Sequence, residues 1–255
     1  MDQNFLDRGF TDVFDVDVKD ELKHLSNLIY ENTKDHLVKH DGDIPLNQKI
    51  NLDFREIPSS EVWSNLMKLI NESDELKNLI NSEGVKNAFK KVFRKPQVFN
   101  ISTFRARLPK QKRVVYNWHQ DEGTWFVSKD KTQLNKYPAT LWFSINGATE
   151  KDSIQLIKYS HKKKLYNHTY ISGQGYFNMT KKEIINEENI NTVVTKPSQC
   201  IIFQPLTVHR SVPQSGVSLR PRYTIDIRYY DEEFNIKYKV DLNFKIKKFF
   251  NNFFN

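Results

Sequence analysis

The chain has 255 residues, 38% hydrophobic, 13% aromatic and 27% charged, with a formal charge of +8. That length buries a sizeable core as one large or two small domains, and the composition argues against a disordered chain. A single cysteine, Cys200, excludes an intramolecular disulfide, and no apolar run reaches the roughly 20 residues of a membrane-spanning helix, so a reducing, cytoplasmic setting is expected.

The N-terminal run MDQNFLDRGFTDVFDVDVKDEL is acidic and broken by charges, unlike a signal peptide. Leu22, Leu25, Leu28 and Ile29 fall at helical spacing in DELKHLSNLIYENT. A second helix is expected in SSEVWSNLMKLINES, behind a serine cap, with Val62, Leu66 and Leu69 or Ile70 on its apolar stripe. A third follows in SDELKNLINSEGVKNAFKKVF, with a break or bend at Gly84.

After Lys95-Pro96 the pattern changes to short strands separated by turn residues. They are expected in QVFNISTFRARL, RVVYNWH, ATLWFSIN, SIQLIKYS, NTVVTK, QCIIFQP, VHRSV and RYTIDIRYY. Cys200, within QCIIF, reads as a small buried apolar residue. Short strands at this spacing suggest a sandwich or jelly roll, flanked on one face by the helices. The expected organisation is one domain over 1–255. Within it, 1–95 form a mostly helical flank, 96–230 the β core, and 231–255 a C-terminal segment read as helical.

In RPRYTIDIRYY, alternation sends Tyr223, Ile225, Ile227 and Tyr229 to one face and Arg220, Arg222, Thr224, Asp226 and Arg228 to the other. The apolar face can pack on the helices; the arginine face turns to solvent or to a polar cavity. In DLNFKIKKFFNNFFN, Leu242, Ile246, Phe249, Phe250 and Phe253 share a helical face. It reads as a closing helix, a self-association surface, or, over 242–255, a peripheral contact with anionic lipid.

The basic residues are dispersed apart from HKKK and KIKK, so a solvated basic surface is expected rather than a nucleic-acid face. The +8 charge would suit an acidic or phosphorylated small molecule. The chemistry-bearing stretch is NWHQDEGTW, which holds His119-x-Asp121. Alone it is a weak signal and could be a polar turn. In a strand, positions i and i+2 share a face, so both side chains could reach one ion while Gln120 points elsewhere. Of the seven histidines, His209 stands out, about ninety residues on and following the apolar strand CIIFQP. Two histidines and one carboxylate on one face of a metal leave positions open, as in non-haem Fe(II) oxygenases. Zinc motifs such as HExxH or a closed cysteine–histidine set are missing from the sequence.

WHQDEGTW, TLWFSINGATEKDSIQLIKYSHKK, CIIFQPLTVHRSV and LRPRYTIDIRY together resemble the phytanoyl-CoA dioxygenase-like branch of the Fe(II)/2-oxoglutarate oxygenases, over roughly residues 96–230. The resemblance implies a double-stranded β-helix (jelly-roll, cupin-like) core, with Fe(II) held by His119, Asp121 and His209 and with 2-oxoglutarate and O2 as co-substrates. It also implies an arginine for the distal carboxylate of 2-oxoglutarate about eleven residues after the second histidine. Arg220 and Arg222 compete for that role. Arg222 is favoured because it begins the regular strand and Arg222-x-Thr224 resembles the family's arginine-x-serine pair. Trp142 stands where the family often has an aromatic lining that pocket, although a plain core tryptophan fits the same position. The family's Asn-Gly and Gly-Ser-His turn is replaced by Asp152-Ser153 and Tyr159-Ser160-His161, so no function is carried onto Ser160 or His161.

The implied activity is hydroxylation of an unactivated C–H bond in a small, anionic or carrier-linked metabolite, with release of succinate and CO2. An intact Asp121 argues against halogenation. Trp125, Arg105 and Gln120 are candidate substrate contacts; Arg105 and Arg107 share a strand face and meet either an anionic group or solvent. Two alternatives come from the residues themselves. Arg222 and Arg228, six apart, resemble a nucleic-acid demethylase pair, and a non-redox cupin-like binding protein would need no iron chemistry.

Overall fold

The computed structural model describes residues 1–40, 42–56, 58–107, 117–125, 138–163, 165–171, 176–179, 187–212 and 220–232. The chain opens with α1 (Gln3–Arg8), β1 (Phe14–Asp15), α2 (Lys19–Thr33) and α3 (Leu46–Lys49). Three serines then organise the flank. The hydroxyls of Ser59, Ser73 and Ser82 accept from the N–H groups of Val62, Leu76 and Val85, capping α4 (Ser60–Glu72), α5 (Asp74–Asn81) and α6 (Glu83–Phe89). The expected break at Gly84 therefore falls at Ser82, whose extended backbone ends one helix while its side chain starts the next. Gly84 serves a different purpose: a Cβ there would run into the Asp17 carbonyl, so glycine lets the chain between β1 and α2 approach closely.

The apolar stripe of α4 is also corrected. Trp63, Leu66 and Ile70 are buried, whereas Val62 and Leu69 are 39% and 43% exposed. Trp63 turns inward because its ring meets Phe54 edge-on, with centroids 6.3 Å apart.

The β region contains β2 (Pro96–Arg107), β3 (Ala139–Ser144), β4 (Ile154–Ile157), β5 (His168–Ile171), β6 (Tyr176–Met179), β7 (Ile190–Thr192), β8 (Gln199–Phe203), β9 (His209–Ser211) and β10 (Arg222–Asp231), with α7 (Asp121–Trp125) between β2 and β3. Their antiparallel pairing gives a five-stranded sheet in the order β1-β8-β3-β10-β2, a three-stranded sheet β7-β4-β9, and the hairpin β5-β6. The strand expected over 113–119 reaches the described residues only as a single bridge between His119 and His209. Strand β1 and the hairpin were not expected; two residues and a run beside lysines carry too little period-2 signal. Of the C-terminal segment 231–255, expected to be helical, Asp231 still belongs to β10 and 233–255 lie outside the described residues.

One face of the large sheet supplies Phe104, Leu141, Phe143, Cys200, Ile202, Tyr223, Ile225, Ile227 and Tyr229 to a core shared with the helices. Each fully buried aliphatic or aromatic side chain there contributes about 1.5–3 kcal/mol. A tyrosine ring locks the contact. Tyr229 stacks on Phe89 with centroids 4.4 Å apart, and its hydroxyl donates to the Ile80 carbonyl at 2.7 Å. A smaller apolar cluster joins the opposite face to the three-stranded sheet through Trp142, Ile154, Leu156, Ile201 and Phe203. No helix among the described residues is long and apolar enough to cross a membrane.

Candidate metal centre

His119 and His209 exchange both backbone hydrogen bonds, each N–H donating to the other's carbonyl at 2.9 Å. This bridge brings two positions far apart in sequence side by side, with ring centroids 4.1 Å apart. The chain entering His209 is braced by Ser160, whose hydroxyl accepts from the Val208 N–H at 2.9 Å and donates to the Ile157 carbonyl at 2.7 Å. Outside the bridge, the Arg210 guanidinium lies over the Trp118 ring, 4.3 Å from its centroid.

Asp121 is not the next residue of a strand, as the i, i+2 reasoning assumes; it is the first residue of α7. The turn into that helix is built by Gln120 and His168. The Gln120 N–H donates to His168 Nε2 at 2.9 Å, and the same imidazole donates from Nδ1 to the Tyr166 carbonyl at 2.8 Å. A Cβ on Gly123 would collide with the His168 ring, so glycine makes room for it. Burial holds the His168 pKa below the usual histidine value. Gln120 is fully buried, its amide donating to the Leu206 carbonyl and accepting from the Tyr166 N–H, both at 2.9 Å. The side chain offered as a substrate contact thus ties backbone together.

His119, Asp121 and His209 are each 7% exposed, and their ligating atoms lie within 4.8 Å of one another. His119 Nδ1 donates to the Asn117 carbonyl at 2.7 Å, and His209 Nδ1 to the Thr207 carbonyl at 2.9 Å. These bonds assign the tautomers and leave both Nε2 lone pairs turned inward. They stand 4.0 and 3.6 Å from Asp121 Oδ1. Burial, reinforced by the neighbouring His209, holds the His119 pKa well below the ordinary value and keeps the ring neutral. Asp121 Oδ2 accepts from the Thr140 hydroxyl at 2.6 Å and from Arg228 Nη2 at 3.3 Å. Burial alone would raise this carboxyl; Arg228, the two histidines and Thr140 outweigh it and hold Asp121 well below the usual carboxylate range. Two inward lone pairs beside a buried carboxylate oxygen have no mutual hydrogen-bonding solution, and a divalent cation satisfies all three. The donor set fits a 2-His-1-carboxylate metal.

Further along the same face of β10, Arg222 is buried over Trp142, 5.5 Å from the ring centroid, and its Nη1 donates to the Asp152 carbonyl. Trp142 is at once part of the apolar cluster between the sheets and the platform for that arginine. Arg220 lies just before the strand. Its guanidinium donates to Asn51 Oδ1 at 2.9 Å, to the Gly147 carbonyl at 2.9 Å and to the Asn146 carbonyl, pinning loops. The Thr224 hydroxyl, expected to face the same ligand as Arg222, donates to the Arg105 carbonyl at 3.3 Å. Arg105 pairs with Asp226 at 2.9 Å, so its charge is met within the protein. Arg107, one face-repeat along, is buried rather than at the surface. Trp125 closes α7, and its side chain lies outside the described residues.

Sequence reasoning left Arg228, Thr140 and His168 out of the site. Alternation along β10 and β3 could have found the first two, which face one another in register. Nothing local marks His168.

A family model described as phytanoyl-CoA dioxygenase (PhyH) matches residues 6–221. No curated protein matches significantly. Among solved structures, the non-heme monooxygenase ThoJ aligns with a TM-score of 0.59 at 14% identity, covering 90% of this chain and 76% of that one. EctD from S. alaskensis, solved with 2-oxoglutarate and 5-hydroxyectoine, aligns with a TM-score of 0.58 at 15% identity over 92% and 76%. SnoK, a non-heme alpha ketoglutarate dependent carbocyclase from nogalamycin biosynthesis, gives 0.54 at 13% over 90% and 82%. At such identities the likeness speaks to the fold alone.

Proposed function

The chain belongs to the phytanoyl-CoA dioxygenase family, the non-haem Fe(II)/2-oxoglutarate oxygenases, and from that premise we propose that His119, Asp121 and His209 hold the iron of a C–H hydroxylase. The observation that carries this reading is the convergence of two histidine nitrogens and one carboxylate oxygen at a single buried point. Iron(II) bound there supplies oxidative decarboxylation of 2-oxoglutarate to succinate and CO2, with delivery of oxygen from O2 to a substrate C–H bond.

The chain's own residues do the positioning. Asn117 and Thr207 fix the histidine tautomers through their carbonyls. Thr140 and Arg228 hold Asp121 ionised and aim its other oxygen at the metal. Arg222, stacked on Trp142, receives the distal carboxylate of 2-oxoglutarate, a task suited to a guanidinium fork. Arg220 takes no part, because its donors are committed to loops. The two main sheets form the walls of a double-stranded β-helix within a single domain. The substrate is a small metabolite, anionic or carrier-linked, in keeping with the +8 charge. Arg228, one of the two arginines behind the nucleic-acid reading, pairs with Asp121 and Asp226.

Anaerobic addition of Fe(II) and 2-oxoglutarate to the purified protein should give a weak visible charge-transfer band. That band should be missing in His209→Ala, and admitting oxygen should yield succinate from the unaltered chain. If the unaltered protein shows neither band nor succinate, the oxygenase reading fails and a non-redox binding protein takes its place.

A further inference from the structure

Strands β10 and β2 pair with Arg222 opposite Arg107. Cross-strand partners on one face have Cβ atoms about 4.5–5.5 Å apart, so the two side chains rise together into the interior. They are 6% and 4% exposed. Burial lowers the Arg107 pKa, and burial together with Arg107 brings Arg222 down to about 10. The carboxylate that counters both is Asp152. It is already shared. Its Oδ1 accepts from the Thr149 N–H at 2.6 Å and hydroxyl at 2.9 Å, and its Oδ2 stands 3.9 Å from Arg220. Asp226 also counters Arg222, but it is itself shared with Arg105 and Arg228, so positive charge is in excess around the buried Arg107–Arg222 pair.

Hydrogen bonding points the same way. Nη1 and Nη2 of Arg107 and Nε of Arg222 are buried, and none has an acceptor among the described residues. Buried donors of a charged group are rarely left so unless a ligand supplies the acceptor. The neighbouring hydroxyl of Thr224 is turned to the Arg105 carbonyl, so the same face offers guanidinium donors in its place. A carboxylate has two oxygens and about four lone-pair sites, enough for all three N–H groups.

We propose that Arg107 joins Arg222 in a two-guanidinium receptor for the distal carboxylate of 2-oxoglutarate, which makes Arg107 a co-substrate-binding residue that sets selectivity for a dicarboxylate. This rests on the reading of the chain as a 2-oxoglutarate enzyme.

The test is calorimetric binding to the full chain loaded with Zn(II), which takes the histidine–carboxylate site without turnover. Two ligands are compared: 2-oxoglutarate, and 2-oxopentanoate, which has the same chain length and 2-oxo acid head but no distal carboxylate. The unaltered protein should prefer 2-oxoglutarate. Arg107→Gln should weaken 2-oxoglutarate about 10–100-fold, the loss expected for charge-assisted hydrogen bonds, and leave 2-oxopentanoate and Zn(II) binding unchanged. Arg107→Lys, which keeps the charge without the fork, should fall between, and it serves as the working variant should the glutamine form fail to fold. Wild-type affinity for 2-oxoglutarate in both variants would overturn the proposal and assign the pair to a substrate anion. An equal loss for both ligands would overturn it in favour of a structural role. If the unaltered chain binds neither 2-oxo acid, the oxygenase reading itself falls, and that is seen before any variant is made.

Discussion

The two faces of β10 are buried almost equally and behave differently. On the outer face Tyr223, Ile225, Ile227 and Tyr229 are 1% exposed or less and pack on the helices. On the inner face Arg222, Thr224 and Arg228 are nearly as enclosed, yet they carry two guanidinium groups and line the path from Asp121 to Arg107. The outer face closes its hydrogen-bond account, as when the Tyr229 hydroxyl donates to Ile80. The inner face leaves the buried Nε of Arg222, and both Nη atoms of its cross-strand neighbour Arg107, without acceptors among the described residues. Burial alone therefore does not separate residues that hold the fold from residues that serve the site. On this strand the charged donors without described acceptors make the difference, because a guanidinium kept in the interior is costly unless something meets its N–H groups.

Variants on the two sides should separate activity from stability. The largest effect expected is His209→Ala, which should lower 2-oxoglutarate-dependent succinate formation by about 10³-fold or more, since two remaining donors hold a catalytic metal poorly. Its urea midpoint in metal-free protein should stay near that of the unaltered chain; a collapse there would place His209 with the core instead. Ile225→Ala on the outer face should do the reverse. It should lower unfolding free energy by about 2–5 kcal/mol, measured by urea titration, while succinate formation per folded molecule is retained.

Arg228→Met and Thr140→Val should each weaken Fe(II) affinity by about 10–100-fold, read by competition with a chelator, because each removes a partner of Asp121 Oδ2. Their effects should be less than additive in the double variant, since both act through one carboxylate oxygen. Unchanged metal affinity in both would detach Asp121 from the metal.

The smallest effect is the response to acid. Burial lowers the pKa values of His119, His161 and His168 in the folded protein. The unfolded chain takes up these protons near pH 6.5, the folded chain only lower. Stability should therefore be full above about pH 6.5 and decline below it. The contribution of Asp121, whose folded pKa is depressed, should be lost only below about pH 4. Urea midpoints for the metal-free protein at pH 8, 6 and 5 should show the first decline; a flat profile over that range would contradict it.

Much of this is legible in the residues alone. Period 2 along RYTIDIRYY separates the two faces of β10, because successive side chains of a strand must point opposite ways. Serine caps and leucine spacing mark the helices, since both rest on neighbours within one or two turns. His119, Asp121 and His209 are recognisable by residue type and order.

Other features depend on contacts that no local pattern encodes. Asp121 opens a helix rather than continuing a strand because His168 and Gln120, 48 residues apart, build the turn before it. Gly84 reads as a possible break and Gly123 carries no signal of its own, but their lack of a side chain answers to Asp17 and His168 pressing from elsewhere in the chain. Arg107 looks like one more surface arginine until the register of β2 against β10 sets it opposite Arg222. Register between strands more than a hundred residues apart is decided by how the whole sheet buries its apolar face, and a one-residue slip would turn Arg107 to the helices. Side-chain alternation is local and belongs to the sequence; which buried charges meet is settled only when the sheet closes.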